Sequence, residues 1–391
     1  MQFRGWKMIA TSVESHPTRN ASNATILAIV MIAAVVPALL MTGPVVAGQL
    51  AAELNMTPSS IGLLFMSENG AMSMATIPAL FWLSRFNLKT VSLLCAVIFI
   101  LANFASMLAD SSSSLIITRV VSGLAGGSLM VICMTSAAAL PKPDRAYGLW
   151  VFGQLVLGAI GLAILPSLFE SFGLKAFFLL MAILMVLCVP LTRFLPETAP
   201  NKNQSSTTFF GGISRHAVMG LFAILLFYIS LMGVWTFIGS IGASAGITGQ
   251  ASGNILAIAT LFGIAGAGVA TLLGGRQRFT WLLIVGYGLM IAGIAMLFSP
   301  DTTSFSIATF SFKFAWTFSL PFILATLAKF DKNGQVMNFS NLVIGGGLAI
   351  GPMITGLIID TFGGFGVALS YALILALASL LLMLILQPKT K

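Results

Sequence analysis

Three ionisable residues lie deep inside long apolar runs of the sequence: Glu68, Arg119 and Lys313. Each lies about seven to ten residues from the start of its run, or roughly 10–15 Å along a helix that rises 1.5 Å per residue. An ionisable side chain near the centre of a bilayer costs about 3 kcal/mol or more. Each of the three is therefore expected to face a cavity or to pair with another charge.

The chemistry open to these residues is ion pairing, anion binding and proton binding. Arg119 keeps its charge, so it could bind an anionic group or change the protonation of a carboxylate; a structural tie to the backbone or to Glu68 is the alternative. Glu68 is the candidate proton site, with a static pair to Arg119 as the alternative. Lys313 is a candidate anion-binding residue, with a carbonyl or polar neighbour as the alternative partner.

Polar and aromatic residues within the apolar runs could complete a binding cavity. An apolar cavity with a few polar groups is typical of a small-molecule site. For each of these residues, packing between helices or anchoring at the membrane interface is the alternative. The candidates are Asn69, Gln154, Tyr228, Trp235, Asn254 and Trp316.

Catalytic and metal chemistry is not indicated. Three cysteines lie far apart in apolar runs, and His16 and His216 lie in polar connecting stretches. No spacing resembles a metal site, and the sequence has no Gly-x-x-x-x-Gly-Lys-Ser/Thr loop for nucleotide phosphates. We expect no enzyme activity, no metal and no cofactor.

The composition indicates the environment, water or lipid, in which the candidate site residues lie. Of 391 residues, 58% are hydrophobic and 7% are charged, whereas soluble proteins carry about 25% charged residues. This small number of polar residues cannot cover the surface of a water-soluble protein. The chain is therefore expected to lie in a lipid bilayer. The net charge of +9 is spread through short loops, which favours a membrane-topology signal over nucleic-acid binding.

Twelve apolar runs are long enough to cross a bilayer, for which about 20 residues are needed. They do not alternate as outer-membrane strands do, so we predict an all-α membrane protein with twelve transmembrane helices. The runs cover residues 24–49, 59–82, 88–109, 113–140, 146–169, 174–195, 216–241, 248–273, 279–299, 303–328, 335–360 and 365–387.

Loop charges predict the orientation. Lys and Arg tend to lie in the cytoplasmic loops of membrane proteins. If the N-terminus is in the cytoplasm, all basic loop residues except Lys175 lie on the cytoplasmic side, so the sequence follows this rule. Both termini are then cytoplasmic, and we expect no cleavage of the first run. A multi-pass protein of a bacterial inner membrane is expected. The acidic residues predicted outside are Glu53, Asp110, Glu170, Asp301 and Asp360.

The chain divides into two halves. The residues 161–166 and 347–352 agree at five of six positions, and an even number of helices per half makes such repeats parallel. Chance similarity between apolar helices is the alternative. The predicted units are a cytoplasmic segment 1–23, a six-helix bundle 24–195, a cytoplasmic linker 196–215, a second six-helix bundle 216–387 and a tail 388–391.

Two sets of six helices, a long central inner loop and cytoplasmic termini resemble the major facilitator superfamily. Arg119 and Gly123 resemble its Arg-x-x-x-Gly motif. The loop 83–89 resembles its Gly-rich inner loop, without the leading Gly and the usual Asp. The run 146–169 resembles the glycine-rich motif of proton-driven antiporters, with Gly161-Leu162 in place of Gly-Pro.

The resemblance implies alternating access, in which two bundles rock about a central cavity and open it to one side at a time. Small residues suit this movement because they let helices approach closely and slide; plain packing is the alternative. The candidate gating residues are Arg85, Lys89, Arg145, Gly123, Gly161, Gly351 and Pro352.

Cavity charge favours an anionic substrate. Two buried cations face one carboxylate, and Coulomb attraction is strong where the dielectric constant is low. We predict a proton-coupled secondary transporter of a small organic anion, such as a carboxylate with an apolar or aromatic body. A drug or metabolite efflux pump with broad substrates is the alternative, although residues 24–52 lack the acidic group of many proton-coupled drug exporters. The expected partners are lipid, substrate and protons, and a monomer is expected.

Overall fold

The computed structural model describes residues 19–198, 214–274, 279–331 and 335–387, and the secondary structure within these ranges is helical. The cytoplasmic tail 388–391, most of the predicted segment 1–23 and most of the predicted linker 196–215 lie outside the described residues. Helical segments occupy all twelve predicted apolar runs. We number these segments α1 to α12.

The first half of the chain contains six segments, two of which are broken. Segment α1 has three pieces, α2 has two pieces, and α6 continues as a 3-10 turn over Val189–Phe194. The bounds are Arg19–Val35 (α1a), Ala38–Met41 (α1b), Gly43–Leu54 (α1c), Pro58–Met74 (α2a), Thr76–Trp82 (α2b), Leu88–Met107 (α3), Ser112–Ala138 (α4), Pro143–Phe172 (α5) and Lys175–Cys188 (α6).

The second half contains six segments, and each of them is a single helix. Within the described residues, nine helices are long and apolar enough to cross a membrane; the broken α1 and α2 and the shorter α9 account for the difference from twelve. The bounds are Arg215–Ser244 (α7), Gly249–Leu273 (α8), Phe279–Met296 (α9), Thr302–Ala328 (α10), Gln335–Phe362 (α11) and Phe365–Ile385 (α12).

Several helices begin at a side chain that accepts a hydrogen bond from the first turn, where backbone N–H groups lack helical partners. Thr57 begins α2a, Asn87 begins α3 and Thr248 begins α8 in this way. Ser111 and Asp301 each form a reciprocal capping box with a serine three residues later. These polar signals between apolar runs set where the helices start.

The helices pack in a pattern that repeats between the halves. In the first half α2a and α3 both pack on α4, α3 packs on α6, and α1a packs on α5. The second half repeats these contacts six helices later, with α8 and α9 on α10, α9 on α12, and α7 on α11. The halves meet through α2a with α11, α5 with α8, and α1c with α7.

The repeat extends to individual contacts. Gly161 lies so close to α1 that an added Cβ would be 2.6 Å from Cγ2 of Thr42, and a Cβ at Gly347 would be 2.5 Å from Cβ of Tyr228. The two pairs are related by the same offset as the repeated hexapeptide. The molecule is therefore two six-helix bundles built on one parallel repeat.

Candidate functional site

Lys313 lies in the middle of α10 with its ammonium between two tryptophan rings. Nζ is 3.6 Å from the ring centroid of Trp235 and 4.1 Å from that of Trp316. Trp316 follows Lys313 by three residues on the same face of the helix, whereas Trp235 comes from α7. The two rings meet edge to face at 6.0 Å. We call these three residues the tryptophan cage.

The tryptophan cage holds a buried cation that forms no ion pair with the residues that the structure describes. Lys313 is 2% exposed, and the ion pairs among the described residues are Lys89–Glu197 and Arg119–Glu68. A desolvated ammonium over a ring gains about 2 kcal/mol, which is less than the several kcal/mol that burying an ion costs. The two rings therefore compensate only part of the cost of burying this ion.

Trp235 also connects the two halves of the molecule. Its Nε1 donates a hydrogen bond of 2.9 Å to the carbonyl oxygen of Leu40 in α1b. In a regular helix this carbonyl would accept from the N–H of residue 44, but Pro44 has no N–H. The indole therefore supplies the donor that the proline removes.

Gln154 likewise donates a hydrogen bond to a carbonyl that a proline leaves without its helical partner, but within the first half. Its Nε2 donates a hydrogen bond of 3.0 Å to the carbonyl oxygen of Ala33, which lies four residues before Pro37. Each break in α1 thus lies within two residues of a proline, and each freed carbonyl is satisfied by a side chain from a neighbouring helix, as buried helices in membranes require. The structure accordingly gives Gln154 a contact with α1a rather than with the tryptophan cage.

Arg119 and Glu68 form a second buried site, within the first half. Nη1 of Arg119 lies 3.7 Å from Oε2 of Glu68 and donates to Oδ1 of Asn103 at 3.2 Å. Nη2 donates to Oγ of Ser106 at 2.6 Å and to the carbonyl of Ala102 at 3.3 Å. The guanidinium also lies 4.8 Å from the ring centroid of Phe178 in α6. Arg119 is thus directed towards α3 and α6.

Glu68 is held less firmly than Arg119. Among the described residues, buried polar atoms without a hydrogen-bond partner include Oε2 of Glu68, Nδ2 of Asn69 and Oγ of Ser122. Asn69 is the neighbour of Glu68 in sequence, and Ser122 lies one turn after Arg119. One oxygen of the carboxylate is therefore free to bind a further hydrogen-bonding group, whereas the arginine has three acceptors, although its Nε also lacks a partner among the described residues.

Of the other predicted cavity residues, Tyr228 contacts the tryptophan cage, because its side chain forms a hydrogen bond with that of Trp316. Tyr228 also packs against Gly347 and against the ring of Phe227. Asn254 is exposed and accepts a hydrogen bond of 3.0 Å from Gln250. The contacts that sequence reasoning missed are those of Asn103, Ser106 and the Leu40 carbonyl. Two features of the sequence could have indicated these contacts. Asn103 and Ser106 are polar residues three apart in an apolar run, and a proline lies four residues after Leu40.

The predicted gating residues divide into loop charges and close helix contacts. Lys89 pairs with Glu197 of the same half at 3.0 Å, and Arg85 and Arg145 are exposed. Gly123 lies against the backbone carbonyl of Glu68, and Gly351 lies against that of Ile229. Gly161 lies against Thr42, and Pro352 contacts Gly62 in α2a across the two halves.

The ends of the helices on the predicted outer side hold the halves together. The backbone N–H of Ser59 donates to Oδ2 of Asp360 at 2.9 Å, which joins α2a to α11. Gln250 donates to the carbonyl of Ala163 at 2.9 Å, which joins α8 to α5. Between these contacts lies a cavity of about 290 Å³, lined by the ends of α1c, α5, α7 and α8.

Membrane-spanning helices in two packed halves, with charged side chains buried inside each half, are typical of a transporter of small molecules. A family model described as Major Facilitator Superfamily matches residues 24–332. The chain belongs to this superfamily, which confirms the resemblance stated above. A comparison with curated protein sequences finds no match.

Solved structures of transporters share the fold. A mutant of the nucleoside transporter NupG superposes with a TM-score of 0.74 at 14% identity, covering 93% of this chain and 98% of that one. A bacterial homologue of the human lysosomal transporter Spinster, in an inward-facing and unoccupied conformation, gives a TM-score of 0.66 at 16% identity, covering 94% and 95%. Identities this low carry the fold and not the substrate.

Proposed function

We propose that this transporter carries a small organic anion and that Lys313 binds its anionic group. The observation that carries the proposal is the buried ammonium of Lys313, which touches two tryptophan rings and takes part in neither ion pair of the described residues. An anion that reaches Nζ replaces weak ring contacts with a charge-assisted hydrogen bond, which is roughly twice as strong as a neutral one.

The tryptophan cage also favours a particular body for the substrate. Two indole rings offer flat apolar faces, and aromatic pairs contribute about 0.5–1.5 kcal/mol beyond the area they bury. An aromatic carboxylate would use both features of the cage. A cationic drug, by contrast, would meet an uncompensated ammonium, so the cage argues against a broad efflux pump for lipophilic cations.

We propose that Glu68 is the proton site and that transport is coupled to protons. Arg119 has three hydrogen-bond acceptors and the ring of Phe178 besides Glu68. Glu68 can therefore change its protonation without leaving the guanidinium unpartnered. A group that cycles between charged and neutral forms must have this freedom, which a carboxylate that is an arginine's sole partner lacks.

The orientation and assembly also belong to this proposal. Exposed basic residues such as Arg85 and Arg145 lie at the end of the helices opposite Asp360, which supports a cytoplasmic location for that end and for both termini. We propose a bacterial inner membrane, a monomer, and the two bundles 24–195 and 216–387 as the moving units.

The test of the anion site is transport into proteoliposomes. Benzoate, a short aliphatic carboxylate, uridine and tetraphenylphosphonium represent aromatic anions, other anions, neutral nucleosides and lipophilic cations. Lys313→Gln should reduce benzoate binding about 10- to 100-fold, since an interaction with a charged group contributes about 1.5–3 kcal/mol and 1.4 kcal/mol is a factor of ten. Lys313→Arg should retain part of it.

Lys175→Gln is the matched control, because Lys175 is exposed at the start of α6. It should bind and carry benzoate like the unaltered protein. If uridine or tetraphenylphosphonium is carried instead, and Lys313→Gln carries it equally well, the anion proposal is wrong. Transport of many unrelated cations and neutral drugs would support the efflux alternative.

Proton coupling is tested with a pH-sensitive dye inside the same vesicles. Benzoate should move protons through the unaltered protein, and Glu68→Gln should abolish this signal while exchange of labelled for unlabelled benzoate continues. Asp110→Asn, at an exposed carboxylate on the predicted outer side, is the control. Proton movement that persists in Glu68→Gln would contradict the assignment.

A further inference from the structure

We propose that Trp235 is the positioning residue that couples occupancy of the tryptophan cage to movement of α1. The inference rests on the proposed function, because it takes the cage as the anion site. It goes further by assigning the connection between that site and the opposite half of the molecule. The connection is the hydrogen bond from the Trp235 indole to the carbonyl of Leu40.

One indole makes both contacts. The ring of Trp235 lies 3.6 Å from Nζ of Lys313, and its N–H, the one donor of the side chain, is 2.9 Å from the Leu40 oxygen. Trp235 is fully buried, so the surrounding side chains leave the ring no free space. A shift that changes the contact with Lys313 therefore also changes the bond to α1.

An anion has to displace a ring to reach Lys313. The cage is closed in this conformation, because Lys313 is buried and both rings contact its ammonium. Trp316 is carried on the same turns of α10 as Lys313 and moves with it. Trp235 comes from α7 and is therefore the ring whose position relative to the ammonium can change. Anion binding and the Leu40 bond are linked in this way.

The segment that receives this signal is already broken. Pro44, in the first turn of α1c, frees the Leu40 carbonyl, and the helix is interrupted at Thr42 between α1b and α1c. The repeat-related positions in α7, Ala223 and Ser230, are not prolines, and α7 is a single helix. Of the two related segments, only α1 has hinge points in the described structure.

Piece α1c leads to the predicted outer opening. Pro44, Val45, Gly48 and Gln49 line the cavity there, and the backbone carbonyl of Pro44 lies 2.7 Å from where a Cβ on Gly239 of α7 would be. When the indole releases Leu40, α1b loses its hydrogen bond to α7, and α1b joins α1c directly at Thr42. Occupancy of the cage should therefore favour separation of α1c from α7.

Four variants test whether the Trp235–Leu40 hydrogen bond couples anion binding to movement of α1 or only satisfies the Leu40 carbonyl. Trp235→Phe keeps a ring beside Lys313 and removes the donor. Pro44→Ala gives Leu40 a helical N–H partner, so the indole bond becomes redundant while the cage stays intact. The double variant combines the two. Pro37→Ala is the matched control, because it makes the same change at the carbonyl that Gln154 satisfies within one half.

Three quantities are measured on the full-length protein. These are benzoate binding in detergent, benzoate exchange in proteoliposomes, and the distance between spin labels at Ala52 in α1c and Ala245 after α7 with and without benzoate. Trp235→Phe and Pro44→Ala should each bind benzoate but lose its effect on the label distance. Exchange should slow about 5- to 150-fold, the usual range of coupling between sites.

The double variant distinguishes the two explanations. We expect it to recover thermal stability relative to Trp235→Phe, since Leu40 is again satisfied, while exchange stays slow. Exchange restored to the level of the unaltered protein would mean that the indole only satisfies a carbonyl, which overturns the inference. Slowed exchange in Pro37→Ala equal to that in Pro44→Ala would overturn it too, because any relaxed break in α1 would then have the same effect.

The same variants distinguish failure of the proposed anion site from failure of the coupling role of Trp235. If Lys313→Gln binds benzoate as the unaltered protein does, the cage is not the anion site and this inference is refuted with it. If Lys313→Gln loses binding but Pro44→Ala keeps both normal exchange and the change in label distance, the anion site stands and the coupling role of Trp235 is refuted alone. Pro44→Ala leaves Trp235 intact, so the test does not depend on the folding of Trp235→Phe.

Discussion

The two members of the Arg119–Glu68 pair should contribute very unequally to stability. Arg119→Gln removes the counter-charge of Glu68 and leaves Oδ1 of Asn103 and Oγ of Ser106 without their shared donor. Removing one partner of a buried pair costs about 3–5 kcal/mol. The attraction across 3.7 Å, about 4 kcal/mol at an effective dielectric constant of about 20, is lost in either single variant, so the two differ in the hydrogen bonds they lose and in the charge they leave buried.

Glu68→Gln should cost far less, about 1 kcal/mol. Oε2 of Glu68 makes no hydrogen bond to the described residues, and Arg119 keeps its acceptors on Asn103, Ser106 and Ala102. Glu68→Gln also removes a buried carboxylate, whose desolvation costs several kcal/mol, and this offsets the lost attraction. The net loss is then comparable to that of one ordinary hydrogen bond, about 0.5–1.5 kcal/mol. The double variant Glu68→Gln/Arg119→Gln should be more stable than Arg119→Gln alone, because it no longer strands a carboxylate.

Equilibrium unfolding in mixed detergent micelles measures these differences. Ser122→Ala is the control, since its hydroxyl is buried one turn from Arg119 and has no partner among the described residues; it should change the free energy of unfolding by less than about 0.5 kcal/mol. Equal destabilisation by Glu68→Gln and Arg119→Gln would refute the reasoning, because it would show that the ion pair dominates the cluster.

Three further predictions concern packing, helix breaks and pH. Gly351→Ala should destabilise the protein by about 1–3 kcal/mol in the same unfolding assay, because its Cβ would lie 2.7 Å from a carbonyl oxygen of α7, whereas Gly268→Ala has open space and should be neutral. Gln154→Leu should cost about 1–3 kcal/mol by leaving a carbonyl unsatisfied, and normal stability would refute the role given to that hydrogen bond. The backbone N–H of Ser304 donates to Asp301 and holds the pKa of Asp301 below its usual range. The stability this adds should be present above pH about 4 and be lost as the pH falls through the lowered pKa. Asp301→Asn should flatten that part of the unfolding profile measured against pH.

The helices could be predicted because hydropathy and loop charge are local signals. A run of about 20 apolar residues has to satisfy its own backbone in lipid, and a helix is the way to do so. The repeat could be predicted from 161–166 and 347–352, whose equivalent contacts with Thr42 and Tyr228 the structure contains. Each of these predictions uses only the residues of one apolar run or the similarity between two apolar runs.

The breaks in α1 could not be read from the run 24–49. Pro37 and Pro44 interrupt a helix only if a donor elsewhere can satisfy the carbonyls of Ala33 and Leu40. Those donors come from Gln154, more than a hundred residues later, and from Trp235, almost two hundred residues later. Sequence spacing carries no information about such partners.

The depth of the buried charges could be predicted, but not the direction in which they point. At 3.6 residues per turn, a shift of two residues in helix register turns a side chain to the opposite face. Arg119 consequently lies towards α3 and α6, where Asn103, Ser106 and Phe178 contact it, and not beside Lys313. Trp316 was the recoverable member of the tryptophan cage, because three residues separate it from Lys313 on one helix face.

The two halves share a packing plan but divide the chemistry between them. The carboxylate that we propose as the proton site lies on α2a and pairs with Arg119 of the first half, whereas the ammonium proposed to bind the anion lies on α10 of the second half. Coupling of protons to substrate therefore requires a connection that crosses from one half to the other. The Trp235–Leu40 hydrogen bond is such a crossing, and it ends at the proline break of a segment that packs on both α4 and α5 of the first half. A transporter with both sites in one bundle would not need this bond, so the division of charge between the halves is itself an argument that α1 carries the signal.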